Sequence, residues 1–132
     1  MIVAGRQAAL CAANNAGWCD AVGRAHGRPG EFHPALWLNR AAMPPYYPNA
    51  VTLTPDETAA QLTAIGGLAA TQPALAVKDS FATLDLRPLG FDVLFEATWL
   101  WREADAPRPA ASRALDWSAV ADAGGLARWE AV

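Results

Sequence analysis

Apolar side chains recur along this chain in two different rhythms, and the rhythm changes from segment to segment. From Arg6 to His26, Leu10, Cys11, Trp18, Val22 and Ala25 return at spacings of three, four and seven. This predicts an amphipathic helix with those residues on its buried face. Gly27 stands where a left-handed C-cap belongs, and Pro29 bars continuation. "ALWLNR" (35–40) and "NAVTLT" (49–54) read as strands. The "AAMPPYYP" joining them contains Pro44, Pro45 and Pro48, which cannot donate to a ladder.

Thr54, Pro55 and Glu57 form an apparent capping box, opening a helix that carries Leu62 and Ile65 inward to about Ile65, with Gly66 and Gly67 fraying its end. Leu75 to Lys78 reads as a short buried strand. Asp79 or Ser80 then caps a brief helix through Phe81, Leu84 and Leu86, ending before Pro88 and Gly90. The strongest period-two signal follows in "FDVLFEATWLWRE". Val93, Phe95, Ala97, Trp99 and Trp101 alternate with Asp92, Leu94, Glu96, Thr98, Leu100 and Arg102, predicting the longest strand. The sum is a mixed α/β (α+β) domain: a twisted, mainly antiparallel sheet of about four strands with helices packed on it.

At 132 residues the chain can build one core. Residues 1–103 are expected to form it. Residues 104–113, with two prolines and no large apolar side chain, read as a linker. Residues 114–132 read as a C-terminal helical segment carrying Leu115, Trp117, Val120, Leu126 and Trp129. No Gly or Pro stop signal closes it at Val132, so the segment is expected to lead into a missing second half. The composition is 53% hydrophobic and 17% charged, the pattern of a globular chain. Much of the apolar fraction is alanine, so core mass falls to six Trp, four Phe and the Leu and Val positions. A net charge of −3 and the absence of a basic stripe argue against nucleic acid as a partner. No apolar run approaches a membrane span. Cys11 and Cys19 lie about 12 Å apart along one helix, too far for a disulfide, and reduced thiols in a cytoplasmic protein are expected.

Few polar residues form a pattern with chemistry in it. Cys19, His26 and His33 lack a fourth ligand at usable spacing, and no metal site is expected. Ser80, Ser112 and Ser118 lack a nucleophile-elbow setting. Asp79, Asp85 and Glu96 could supply carboxylates, but capping and surface roles account for them. Lys78-Asp79-Ser80 lies where a buried strand ends, a favoured place for ligand contacts in α/β sheets. A strand-end salt bridge with an N-cap is the structural alternative. Tyr46 and Tyr47 occupy the proline-rich connection, either touching a ligand or plugging the core edge. Asn14 or Asn15 either faces a ligand or bonds a neighbouring loop. No catalytic residue is assigned.

"RAHGRPGEFH" (24–33) begins like the Q/R-x-x-G-x-G/A signature with which acetyl-CoA-dependent N-acetyltransferases cradle a pyrophosphate. Such a cradle follows a strand and opens a helix. This stretch leaves a helix, and Pro29 at the third small position has no N–H. It reads as a helix exit.

The stretches "NNAGWCDAVGRAHG", "LWLNRAAMPPYYPNAVTL", "VKDSFATLDLRPLGFDVLFEATWLWR" and "LARWE" together resemble the N-terminal region of bacterial GNAT-family acetyltransferase-like proteins. The resemblance covers nearly all of the chain and implies a GNAT-like half-domain. In such proteins a further region resembles the acetyl-CoA-binding half. It implies an N-acetyltransferase in which this chain is the non-cofactor-binding half, inert alone. Tyr46, Tyr47, Lys78, Asp79 and Ser80 would face the acceptor. Acetyl-CoA would enter only with a C-terminal half, and the partner would be that half or a second copy. A non-enzymatic small-ligand or protein-binding domain is the alternative.

Overall fold

The computed structural model describes residues 5–72, 74–108, 110 and 118–131, in two compact units divided between Trp101 and Arg102. The first unit opens with helix α1 (Gly5–Ala25), followed by strands β1 (Glu31–Phe32), β2 (Leu36–Leu38) and β3 (Ala50–Thr52). Helix α2 (Thr58–Ala69), strand β4 (Val77–Lys78) and a single 3-10 turn at Arg87–Leu89 complete it. The strands form one sheet in the order β1-β2-β3-β4. Both β1–β2 and β2–β3 are antiparallel, with Trp37 opposite Val51, while β3 and β4 run parallel through the α2 crossover. The α+β class expected from the sequence is therefore present, with one parallel junction in a mainly antiparallel sheet.

Alternation along β2 places its side chains on the two faces of the sheet. Trp37 packs with Val51 against Ala16 and Cys19 of α1. Leu36, Leu38 and Ala50 pack with Ile65 of α2, and Leu84, Leu86 and Phe91 close the edge of that cluster. Every residue of β2 and β3 is buried.

Helix α1 contradicts the expected buried face. Leu10 and Trp18 are exposed, and the buried positions are Ala12, Ala16, Cys19, Asp20 and Gly23. Small residues at i, i+4, i+7 and i+11 let the helix backbone approach the sheet closely, and Trp37 fills the intervening space. Its exit is as the sequence predicts. Gly27 has φ 69°, its amide donates to the Arg24 carbonyl, and the Arg28 amide donates to the Gly23 carbonyl, the paired bonds of a Schellman cap.

Four further expectations need correction. Thr54 does not cap α2, because the chain is still leaving the sheet there: the Leu53 amide donates to Ala35 and the Thr54 carbonyl accepts from Gln61. Glu57 takes the N-cap position without a side-chain bond, and α2 runs on through Gly66 and Gly67. The helix expected after Ser80 is replaced by a loop in which Ala82 has φ 53°, outside helical space. The long strand expected over "FDVLFEATWLWRE" does not form, since residues 91–103 pair with none of the described strands.

The second unit, Arg102–Val132, contains helix α3 (Ala123–Glu130), with Asp122 at its N-cap accepting from the Gly125 amide at 2.6 Å. Val120, Leu126 and Trp129 are exposed beside a hollow of about 630 Å³. Leu115, Trp117 and part of the expected linker lie outside the described residues.

Gly30 lies against the face of Trp37, and a Cβ there would come within 3 Å of the ring. Gly17, in the middle of α1, has no atom within 4 Å of the corresponding position. In denaturant titrations, Gly30→Ala should lose about 1–3 kcal/mol through overpacking, while Gly17→Ala should gain up to about 1 kcal/mol.

Candidate functional site

The turn after α1 is organised by a carboxylate. Asp20, 6% exposed, accepts from the Arg24 guanidinium at 2.6 Å, the Gly30 amide at 2.8 Å and the Trp37 indole at 3.2 Å. Burial alone would raise its pKa, but the bonds from Arg24, Gly30 and Trp37 together hold the carboxyl below its ordinary value. The Gly30 amide of the "RAHGRPGEFH" stretch is thus engaged by the chain's own anion. Nothing in the sequence pattern singled out Asp20; only its spacing of four from Arg24 hinted at a pair.

Two buried asparagines brace the tyrosine loop. Asn39 donates to the Arg28 carbonyl and accepts from the Ala41 amide, and Asn49 donates to the Asn39 and Ala41 carbonyls. Arg28 also donates to the Ala42 carbonyl, and Gln72 to that of Arg40. Inside this frame the Tyr47 amide donates to the Pro44 carbonyl, closing a turn with Pro45 at its second position and Tyr46 at its third. Tyr46 has φ 71°, the left-handed value that a type II turn demands and glycine meets without cost. Its side chain is fully exposed. Tyr47 behaves differently: it is half-buried against the Trp37–Val51 cluster, and its hydroxyl accepts from the Trp18 indole at 3.3 Å. Tyr47 is therefore the core-edge plug, and Tyr46 is the residue presented to solvent.

At the end of β4, Lys78 pairs in register with Val51 on the α1 side of the sheet. Its ammonium lies 4.3 Å from the centre of the Trp99 ring. Burial depresses the lysine pKa, partly offset by the nearby Cys19 sulfur in its ionised form. Cys19 is pushed up by burial, partly offset by Lys78. Asp79 forms no ion pair with Lys78. Its carboxylate accepts from Thr52 Oγ1 and from the Phe81 and Leu84 amides, which makes it the brace of the 79–84 loop. The Ser80 amide donates to Thr52 Oγ1 and its carbonyl accepts from the Trp99 indole, but its buried hydroxyl has no partner.

Of the five residues the sequence singled out, Asp79 and Tyr47 thus bond and pack within the fold. Lys78 and Ser80 share the β4 end under Trp99, and Tyr46 stands on a separate loop. Asn15 Oδ1 is likewise buried without a partner. Both cysteines are free. Among the described residues no cluster of His, Cys, Asp or Glu could hold a metal, and no helix is long and apolar enough to cross a membrane. No protein-family model, curated protein or solved structure matches the chain.

Tyr46→Gly should stabilise the fold by about 1 kcal/mol in thermal or denaturant unfolding, because glycine removes the left-handed strain and no contact is lost. A loss of stability would mean that the phenol is held by the protein.

The Asp20 bonds also set a pH dependence. A carboxyl whose folded pKa is depressed contributes stability that is complete above its ordinary value of 3.8 and is lost as pH falls through that value toward the folded one. Asp20→Asn should therefore be less stable than wild type by about 1–3 kcal/mol at neutral pH. The gap should narrow below about pH 4. Glu31 and Asp85, also held low by Arg40 and Arg87, titrate in both proteins and cancel from the comparison. A gap that stays constant down to pH 3 would rule out the anionic role.

Proposed function

We propose that this chain is the acceptor-side, non-cofactor-binding half of a GNAT-like N-acyltransferase and is inert by itself. The observation that carries the reading is the chemistry at the starts of α2 and α3 and at the exit of α1. A coenzyme diphosphate needs unengaged amides at a helix N-terminus, approached through a loop that lets phosphate come close. Helix α2 is the one entered from a described strand. Its approach, Leu53-Thr54-Pro55-Asp56-Glu57, contains no glycine, includes a proline and places two acidic residues at the helix start. At α3 the Asp122 carboxylate already accepts from the Gly125 amide. The amides after α1 are engaged by Gly23, Arg24 and Asp20. Each of these places is filled by the protein's own acceptors or guarded by its own acids, which repel phosphate.

On this reading the acceptor meets Tyr46 and the β4 end, where Lys78 and the unpartnered Ser80 hydroxyl lie beside Trp99. A second reading, a non-enzymatic protein-binding domain, is favoured by the exposed Val93, Leu94, Phe95 and Leu100.

Calorimetric titration of this chain with acetyl-CoA should give no binding heat. Saturable binding with a dissociation constant in the micromolar range would overturn the proposal.

A further inference from the structure

Residues 92–102 carry a period-two pattern that predicts a strand, yet they pair with none of the described strands. Their apolar side chains lie open: Val93 is 78% exposed, Leu94 83%, Phe95 78% and Leu100 85%. Val93, Phe95, Trp99 and Trp101 fall on one alternating face, while Leu94 and Leu100 share the other with Asp92, Glu96, Thr98 and Arg102. The segment is nevertheless anchored at both ends. Phe91 packs on the Ile65 cluster, and the Trp99 indole donates to Ser80 while its ring covers Lys78.

The order of residues identifies the occupant, because the segment is complementary to itself when reversed. An antiparallel pairing centred on Ala97 sets Val93 opposite Trp101, Leu94 opposite Leu100, Phe95 opposite Trp99 and Glu96 opposite Thr98. At either end Asp92 meets Arg102, the next residue along the chain, so opposite charges close the ladder twice. Such apolar, aromatic and ionic cross-strand pairs are the units that stabilise an antiparallel ladder. Small Ala97 at the axis lets the two backbones meet without a clash. A shift of register by one residue would exchange the two faces and separate these pairs. A two-fold interface makes the same patch serve both partners.

We propose that residues 92–102 form an antiparallel strand pair with the same segment of a second copy of this chain, about a two-fold axis at Ala97. The Arg102 guanidinium, which donates to the Ala106 and Pro107 carbonyls in the single chain, turns to Asp92 of the other copy. The proposal is independent of the acyl-transfer reading: acetyl-CoA binding leaves it untouched, and a monomer does not disturb that reading.

Sedimentation equilibrium of the whole chain tests it. The expected result is a monomer–dimer equilibrium, abolished by Ala97→Asp, which sets two like charges face to face at the axis. Ala97 is exposed in the single chain, so circular dichroism should show the variant folded as wild type. Asp92→Arg should weaken the dimer at least tenfold, and Asp92→Arg with Arg102→Asp should restore it. Under mild oxidation Ala97→Cys should crosslink two copies, whereas Val93→Cys, roughly 26 Å from its counterpart in this register, should not. A monomer at all concentrations, a polydisperse aggregate, or a dimer indifferent to Ala97→Asp would each overturn the proposal.

Discussion

A carboxylate in the interior is tolerable only where donors surround it, and Asp20 obtains its donors from three parts of the chain. One is Arg24, a turn further along α1. The second is the Gly30 amide in the connection to β1, and the third is the indole of Trp37 in the middle of β2. Satisfying all three fixes how the end of α1 lies on the sheet. The Schellman exit at Gly27 turns the chain so that Gly30 can reach back, and Gly30 must then lie against the Trp37 ring. The small residues of α1 follow from the same requirement. A helix lined with leucines would stand too far from β2 for the indole to reach Asp20. One buried charge therefore sets helix distance, loop path and the orientation of the largest core side chain.

The polar residues that look chemically promising are largely occupied by similar tasks. Asn39 and Asn49 brace the tyrosine loop, Gln61 supports the departure from β3 by bonding the Ala35 and Thr54 carbonyls, and Asp79 with Thr52 shapes the exit from β4. These groups are buried because loops without regular backbone pairing need side chains to satisfy their amides and carbonyls. Among the described residues the groups left over are few: Tyr46 on its strained turn, the Ser80 hydroxyl, Asn15 Oδ1, Gln61 Oε1, and Lys78 beneath Trp99. A candidate site is better defined by such leftovers than by the density of polar residues around it.

Local signals were readable in the sequence wherever one residue type has one physical use. Gly27 stops α1, the apolar triplet in 36–38 becomes β2, and the mixed sheet with flanking helices follows from the alternation of rhythms. Signals that depend on a distant partner were not readable. The buried face of α1 is set by Trp37, seventeen residues beyond Asp20, so counting large apolar residues chose the wrong side. Thr54 had the composition of a cap, but Gln61 and Ala35 keep that stretch attached to the sheet. For the site, position alone marked the β4 end. The division of labour within it, Asp79 as brace and Ser80 unpartnered, depends on Thr52, twenty-seven or more residues earlier.

The same distinction explains the segment after Phe91. Period-two alternation states a capacity to be covered on one face, while a strand exists only once another strand supplies hydrogen bonds along its edge. In this unit β4 ends at Lys78, and the loop braced by Asp79 carries the chain away before a further strand can align. The alternation thus adds no strand to the described sheet, although Phe91 and Trp99 hold its two ends in place. Coverage by the chain's own sheet would bring the exposed Val93 and Phe95 onto the cluster that already holds Phe91, yet that cluster is closed by Leu84, Leu86 and Phe91 themselves. The loop that Asp79 braces therefore separates the strand-forming pattern from the sheet that would have received it.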